Sequence, residues 1–255
     1  MSPNPKLPAA YNLIALETVG STNAEARRLA EQGEDATPDG TLVWALEQTE
    51  GRGRRGRDWE SPRGNFYSSL VLRPEVSMAE AAGLGFVAGL AVFDTIGELA
   101  EPGYQVQLKW PNDILLFEKK VGGMLLEAQA GTDGMPEFVI LGLGVNLAHH
   151  PSDTEFPATS FVSENMAIPD VMFLEAYARH FLQWVSRWVD GGLTPLLPEW
   201  RWRAAGIGEA ITVRLENGTL EGTFKNIDDT GALVLDQGDA GTRLVTAGDV
   251  FFGGI

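Results

Sequence analysis

Cysteine is absent from this 255-residue chain. Disulfide staples, thiolate metal sites and cysteine nucleophiles are thereby excluded, and a reducing cytoplasm is the compartment such a chain fits. Histidine is scarce: His149 and His150 are adjacent and point apart on an extended backbone, while His180 stands alone. That spacing does not support a histidine metal site. Positive charge is also in short supply, with 19 Lys+Arg against 35 Asp+Glu and a formal net charge of −16. Such a balance argues against broad, charge-driven binding to nucleic acid or to an anionic membrane. The most tempting apolar segment, 81–93, has 13 residues between Glu80 and Asp94, well short of the ~20 that cross a bilayer. It reads as a buried helix. The start, MSPNPKLPAAYNL, lacks the basic-then-apolar pattern of a secretory signal. No GxxxxGK[ST] loop and no Gly-x-Ser-x-Gly elbow occurs, so a classical phosphate loop and an enzyme-borne serine nucleophile are missing as well.

What the chain does have is glycine, 30 residues, or about 12% against a typical ~7%. At 44% hydrophobic and 21% charged it is an ordinary globular composition, long enough for one large domain or a large one with a small one. The pattern predicts a strand over 11–18, a helix opened by a Thr22/Glu25 capping box, strands over 41–48 and 65–72, and a core helix over 78–99. Between 49 and 64 lies a loop long enough to call for a function. Short apolar strands follow from 105 to 147, then a polar stretch, a helix over 170–190 and the segment LLPEWRWR. After Gly206 the strict alternation of ITVRLE, the Asn217-Gly218 turn signal and a series of short strands read as a small β domain. The expected division is 11–205 and 207–255, an α+β fold with a mixed sheet followed by a small β-barrel.

Three segments carry chemistry. In Gly51-Arg52-Gly53-Arg54-Arg55-Gly56-Arg57-Asp58-Trp59, glycines let backbone N–H groups converge on an anion and guanidinium forks grip phosphate or carboxylate. Taken alone it also reads as a solvated basic loop or an RG-type RNA-binding stretch. Lys109-Trp110-Pro111-Asn112-Asp113, followed by Lys119-Lys120-Val121-Gly122-Gly123-Met124, presents Asn, Asp and Lys at strand ends, or else is a tight turn beside an edge strand. Leu141-Gly142-Leu143-Gly144-Val145-Asn146 fails as a dinucleotide fingerprint, and its glycines mark a close backbone approach.

Taken in order with Ser21-Thr22-Asn23 and Gln48, these segments resemble the biotin protein ligases over essentially the whole chain. The resemblance implies a catalytic domain related to class II aminoacyl-tRNA synthetases and lipoate ligases, with a C-terminal SH3-like barrel. It implies activation of biotin by ATP and Mg²⁺ to biotinyl-5′-AMP, then transfer to a lysine of a biotin carboxyl carrier domain, whose nucleophile explains why none is found here. Carried over by position, Ser21, Thr22, Asn23, Gln48, Arg52, Gly53, Arg54, Lys120 and Gly123 bind biotin. Arg54, Arg55, Arg57, Trp59, Asn112, Lys120 and Asn146 bind the nucleotide. Lys120 and Arg54 are the catalytic residues, Gly122 and Gly123 leave room for the ligand, and Asp113 acts through Mg²⁺ or by orienting Lys120, with no fixed protein metal site.

Two departures stand out. SPRGNFYSS is one residue shorter than in some relatives, and the catalytic domain starts near residue 11, which leaves no room for the DNA-binding domain of the repressor members. The resemblance therefore implies a monofunctional enzyme without nucleic-acid or membrane partners, and leaves open a homodimer paired through sheet edges. Lipoate or octanoate ligation is the enzymatic alternative, and a biotin-sensing or RNA-binding module the non-catalytic one.

Overall fold

Large apolar residues alternate between two clusters along the central strands of this protein, and that alternation decides its architecture. The structure, a computed structural model, describes residues 5–253. Strands β1 (Asn12–Leu16), β2 (Thr41–Ala45), β3 (Phe66–Leu72), β4 (Val106–Lys109), β5 (Asp113–Leu116), β6 (Lys119–Ala130) and β7 (Pro136–Val145) form one mixed sheet in the order β1-β2-β3-β7-β6-β5-β4. The first two run parallel and every other neighbouring pair is antiparallel. Leu42, Trp44, Leu70, Leu72, Val139 and Leu141 belong to one cluster, whereas Val43, Val71, Phe138 and Ile140 belong to another. Because successive side chains of a strand point to opposite faces, β2, β3 and β7 are buried on both sides.

The cover differs on the two faces. Helix α1 (Thr22–Ala30), the crossover from β1 to β2, buries Ala26 and Ala30 on the smaller cluster. On the opposite face lie α2 (Met78–Ala81), α3 (Leu84–Leu99), α4 (Asp170–Gly191) and α5 (Leu197–Arg203), centred on Phe66, Phe173, Tyr177 and Trp200. Each such aromatic side chain, fully buried, contributes roughly 1.5–3 kcal/mol. The apolar run 81–93 is thus core, as expected, but the helix expected over 78–99 is broken at Ala82–Gly83. A Cβ on Gly83 would stand 2.7 Å from the indole nitrogen of Trp188, so α4 presses on the chain at the break. The cap of α1 also differs from expectation. Ser21, extended at φ −151°, accepts from the Ala24 amide, which frees the Thr22 hydroxyl for the site.

Strands β8 (Ala210–Leu215), β9 (Gly218–Ile227), β10 (Leu233–Asp236), β11 (Thr242–Val245) and β12 (Asp249–Phe252) make a second, antiparallel sheet in the order β11-β10-β9-β8-β12. Leu215 pairs with Gly218, so the hairpin turns at Glu216–Asn217, one residue before the expected pair. The terminal strands β11 and β12 do not pair with each other among the described residues, and the sheet stays open where a closed barrel was expected. Instead β12 lies against the larger domain, with Phe251 stacked on Phe156 at 4.5 Å. Trp110 donates to the Gly231 carbonyl and Ala205 to that of Leu108, and the apolar core runs on into Ile211, Val213 and Phe224.

Candidate active site

The α1 face of the large sheet is covered by the helix at one end only. At the other end a cavity of about 370 Å³ opens between the N-terminus of α1, the arginine-rich segment, the β4–β5 hairpin, residues 151–158 and β12. Its floor is glycine: Gly123, Gly142 and Gly144 line it from β6 and β7. A Cβ on Gly142 would lie 2.1 Å from Oδ1 of Asn23, and one on Gly144 would lie 2.7 Å from Nε1 of Trp59. Asn23 and Trp59 therefore rest directly on the sheet backbone, the close approach that the Gly-Leu-Gly pattern signals.

The long loop is partly a small flap. Trp59 N–H donates to the Gly51 carbonyl, Arg52 bridges Asp58, and Gly53 N–H donates to the Arg57 carbonyl at 2.7 Å, with Arg55 at its tip at φ 55°. Gly51 admits no side chain, because a Cβ there would be 2.4 Å from both the Trp59 carbonyl and Ser61 Oγ. The flap extends Arg54 over the β4–β5 hairpin, where Nη1 donates to Asn112 Oδ1 at 2.8 Å. Burial lowers the Arg54 pKa, opposed by the nearby Asp249 and Asp113. Arg55 and Arg57 both reach one oxygen of Asp249 on β12, at 3.2 and 2.8 Å.

Lys120 reaches the cavity through an irregularity in β6. Leu115 pairs with Lys120 but Ile114 pairs with Gly122, so Val121 is an extra residue in the ladder. Such a bulge shifts the pleat by one position. Lys120 and Gly123, an odd number of residues apart, consequently both line the cavity, whereas Gly122 packs against Ile114 and Val145. Lys120 Nζ pairs with Asp113 Oδ1 at 2.7 Å and lies 5.5 Å from the Trp59 ring centre. Asn112 is fixed from behind by donating to the Met124 carbonyl, and Asn146 by donating to that of Thr159.

At the α1 end the lining is neutral and polar. Gln48 Oε1 accepts from the Thr22 amide at 2.8 Å, and Gln48 Nε2 donates to Ser61 Oγ. Ser21, Thr22 and Asn23 are each less than 8% exposed.

Of the residues expected from the sequence, Ser21, Thr22, Asn23, Gln48, Arg52, Gly53, Arg54, Arg57, Trp59, Asn112, Asp113, Lys120, Gly123 and Asn146 line this one cavity. Arg55 and Gly122 fall outside the lining. Several neighbours were given no role by the sequence reading. Lys109 is 5% exposed, with Nζ 3.7 Å above the Phe156 ring, and burial pushes its pKa down to about 8. Ser61 and Ser69 support Gln48 and Asn23, Glu127 accepts from Asn23, and Asp249 holds the flap. For Ser69 a signal exists: a hydroxyl within the apolar strand FYSSLVL. Nothing local marks Asp249. Among the described residues no three His, Asp or Glu side chains converge in a way that would hold a metal ion.

The chain matches the sequence signature described as "Biotin/lipoate A/B protein ligase family" over residues 59–202 and that of the "Biotin protein ligase C terminal domain" over 206–253. It is 42% identical to the biotin–[acetyl-CoA-carboxylase] ligase of Paracoccus denitrificans over 94% of this chain and 100% of that one. The ligase of the same name from Mycobacterium tuberculosis is 35% identical over 93% and 88%. Among solved structures, the biotin protein ligase of Aquifex aeolicus in complex with biotin and ATP superposes with a TM-score of 0.78 at 26% identity, covering 94% of this chain and 97% of that one.

Proposed function

This chain belongs to the biotin protein ligase family, and from that premise we propose how its cavity divides the work of an ATP-dependent biotin–[carrier protein] ligase. One observation carries the reading. A single cavity has neutral polar groups at one end and Arg54, Arg57 and Lys120 at the other. Biotin has the matching polarity, a neutral cyclic urea at one end and a carboxylate at the other. In the first step a carboxylate oxygen attacks the α-phosphorus of ATP, and the bond to the bridging oxygen breaks. Pyrophosphate leaves and biotinyl-5′-AMP remains. In the second step the neutral amine of a carrier lysine attacks the acyl carbon, the C–O bond to AMP breaks and AMP leaves, and the nitrogen gives up one proton and keeps one as the amide forms.

Bringing two anions together is the electrostatic difficulty, worth about 4 kcal/mol per pair of unit charges at 4 Å near a protein surface. Lys120 would bind carboxylate and α-phosphate oxygens together, exchanging the carboxylate of Asp113 for them, and Arg54 would close over the acyl phosphate. Ser21, Thr22, Asn23 and Gln48 would hold the urea, with Arg52, Gly53 and Gly123 around the bicycle. Arg57, Trp59, Asn112 and Asn146 would face the nucleotide, where Trp59 supports the flap by resting on Gly144, while Arg55, outside the lining, would act through its pairing with Asp249. Fixed, preorganised charge of this kind costs no reorganisation at the moment of reaction.

Mg²⁺ would enter with the triphosphate, neutralising phosphate charge, and Asp113 is the carboxylate beside Lys120 that would face it. Division into domains 11–205 and 207–255 is supported by the end of α5 at Arg203 and the start of β8 at Ala210. We read the mixed sheet as the platform shared with class II synthetases and lipoate ligases, and the open C-terminal sheet as derived from an SH3-like barrel.

The test is incubation of the full chain with ATP, Mg²⁺, labelled biotin and a biotin carboxyl carrier domain. Label on one carrier lysine, and biotin-dependent ATP–pyrophosphate exchange that lipoate does not support, are the expected results. Exchange with lipoate in place of biotin would overturn the assignment of the neutral end to a cyclic urea.

A further inference from the structure

Lys109 is a buried cation that the adenylation step leaves unused. Strand β4 sets it opposite Asp113 of β5, and Asp113 Oδ1 in turn holds Lys120 Nζ at 2.7 Å. Residues that face each other across an antiparallel ladder project to the same side of the sheet. Lys109, Asp113 and Lys120 accordingly all line the cavity in which the acyl phosphate would form. Lys120 and Asp113 are partners of each other. Lys109, 5% exposed, makes no ion pair and no side-chain hydrogen bond among the described residues. Its Nζ is met instead by three aromatic rings, at 3.7 Å from the ring centre of Phe156, 5.5 Å from that of Phe252 and 6.0 Å from that of Phe251.

Such surroundings suit an amine that changes charge. Burial disfavours the ammonium and pushes the pKa of Lys109 down to about 8, with Asp113 and Asp249 opposing the shift and Lys120 and Arg57 adding to it. The ring faces still attract the cation once it forms. A second cavity, of about 440 Å³, adjoins the first across Lys109, Lys120, Glu155 and Phe156, and Glu118 and Glu209 line it as well. Of these carboxylates Glu155 is paired with Arg214. Lys109 therefore stands between the reacting groups and an acidic cavity into which a proton can be passed.

We propose that Lys109 is a catalytic residue of the transfer step, the base that takes the proton of the carrier lysine as the amide forms. The inference rests on the ligase reading given above. The neutral carrier amine attacks the acyl carbon of biotinyl-5′-AMP, and the nitrogen of the adduct becomes cationic. Neutral Lys109 Nζ accepts one of its protons and the N–H electron pair returns to that nitrogen. The C–O bond breaks with its pair leaving on the phosphate oxygen of AMP. Lys109, now an ammonium among the three rings, sheds the proton through the second cavity. An amine is by nature a stronger base than a carboxylate such as that of Asp113, and a base works best when its pKa lies near the working pH.

The experiment forms biotinyl-5′-AMP on the full chain, removes pyrophosphate, adds a biotin carboxyl carrier domain and follows a single turnover of transfer across a range of pH. Biotin-dependent ATP–pyrophosphate exchange is measured beside it. Wild type is compared with Lys109→Met and with Lys109→Arg, which keeps the cation but is never deprotonated. In both variants transfer should fall about a hundredfold relative to exchange, and the bend near pH 8 in the wild-type transfer rate should be lost. The Met variant removes a buried charge and keeps the fold, which guards against a packing effect of the larger arginine. Equal loss of exchange and transfer would show that Lys109 serves only as a charge beside the anions. Transfer retained in Lys109→Arg, or a bend that persists in Lys109→Met, would assign the proton to another group. Each of these outcomes overturns the inference alone. A wild-type chain that neither exchanges pyrophosphate with biotin nor labels the carrier would overturn the ligase reading and the inference with it.

Discussion

Arg57 and Asp249, 192 positions apart in the chain, are joined at 2.8 Å, and the same carboxylate oxygen takes Arg55 at 3.2 Å. The flap of the large domain is thus tied to the last strand of the small sheet. Arg54 also reaches toward the Gly248 carbonyl at 3.5 Å. Of the two cations on this carboxylate, Arg57 lines the cavity and Arg55 lies outside the lining.

Asp249→Asn should release the flap without unfolding the protein. Asp249 is only 13% exposed, but both arginines keep contact with solvent and Asn preserves the size of the side chain, so the loss should stay near the ~1 kcal/mol upper end for solvated ion pairs. Trypsin cleavage at Arg54, Arg55 or Arg57 should accelerate several-fold while the thermal midpoint hardly moves. Unchanged cleavage would show that the backbone pairs within the flap hold it unaided.

Gly142→Ala places a methyl where Asn23 Oδ1 now lies, at 2.1 Å, and Gly144→Ala places one against the Trp59 indole. Both sites are backed by buried β7, so neighbours and not the strand must yield. Overpacking of this kind typically costs about 1–3 kcal/mol. Gly142→Ala should raise the KM for biotin more than that for ATP, and Gly144→Ala should displace Trp59, read as a shift in tryptophan fluorescence. Equal effects of Gly142→Ala on both substrates would refute the placement of Asn23 at the biotin end.

Lys120→Gln removes the cation beside Asp113. Biotin-dependent pyrophosphate exchange should fall by about a hundredfold or more, as it does when a preorganised charge-stabilising group is lost. Binding of biotin without nucleotide should weaken much less. If exchange survives within tenfold, Lys120 is not the residue that offsets the meeting of the two anions.

Lys109 predicts a pH dependence of stability. Burial pushes its pKa down to about 8 from an ordinary 10.5. Between those values the unfolded chain binds more protons than the folded one, so this group makes unfolding harder as pH rises, by at most about 1.4 kcal/mol per pH unit. Lys109→Met keeps the contact with Phe156 and removes the titration. Urea denaturation at pH 7.5 and 9.5 should show the variant's advantage over wild type shrinking at the higher pH. Parallel changes in the two proteins would contradict a desolvated ammonium at this position.

Much of the molecule was legible in order along the chain. Strands 41–48, 65–72 and 137–147 announce themselves by apolar runs bounded by polar turns; β2 and β3 lie within them, and β7 does so apart from its first residue, Pro136. Local rules failed where a distant neighbour intervened. The helix over 78–99 is interrupted at Ala82–Gly83, where Trp188 of α4 packs beside Gly83, and the cap of α1 lies at Ser21, with the Thr22 amide donating to Gln48. Barrel closure was expected from a run of short strands, but β12 engages Arg55, Arg57 and Phe156 of the larger domain.

By itself, then, the sequence determined the residue types of the site: an arginine flap with glycines, KWPND, the lysine before two glycines, and Ser21-Thr22-Asn23. Composition and local spacing suffice for these, since they depend on what a short segment can present. Which way each group faces was decided by the tertiary structure. The bulge at Val121 turns Lys120 into the cavity, and Gly142 and Gly144 let Asn23 and Trp59 settle on the sheet. The side-chain amide of Asn23 is held by residues as far off in sequence as Glu127. Direction, contact and hydrogen-bond polarity belong to pairs of atoms brought together by folding, and a linear sequence does not state which pairs will meet.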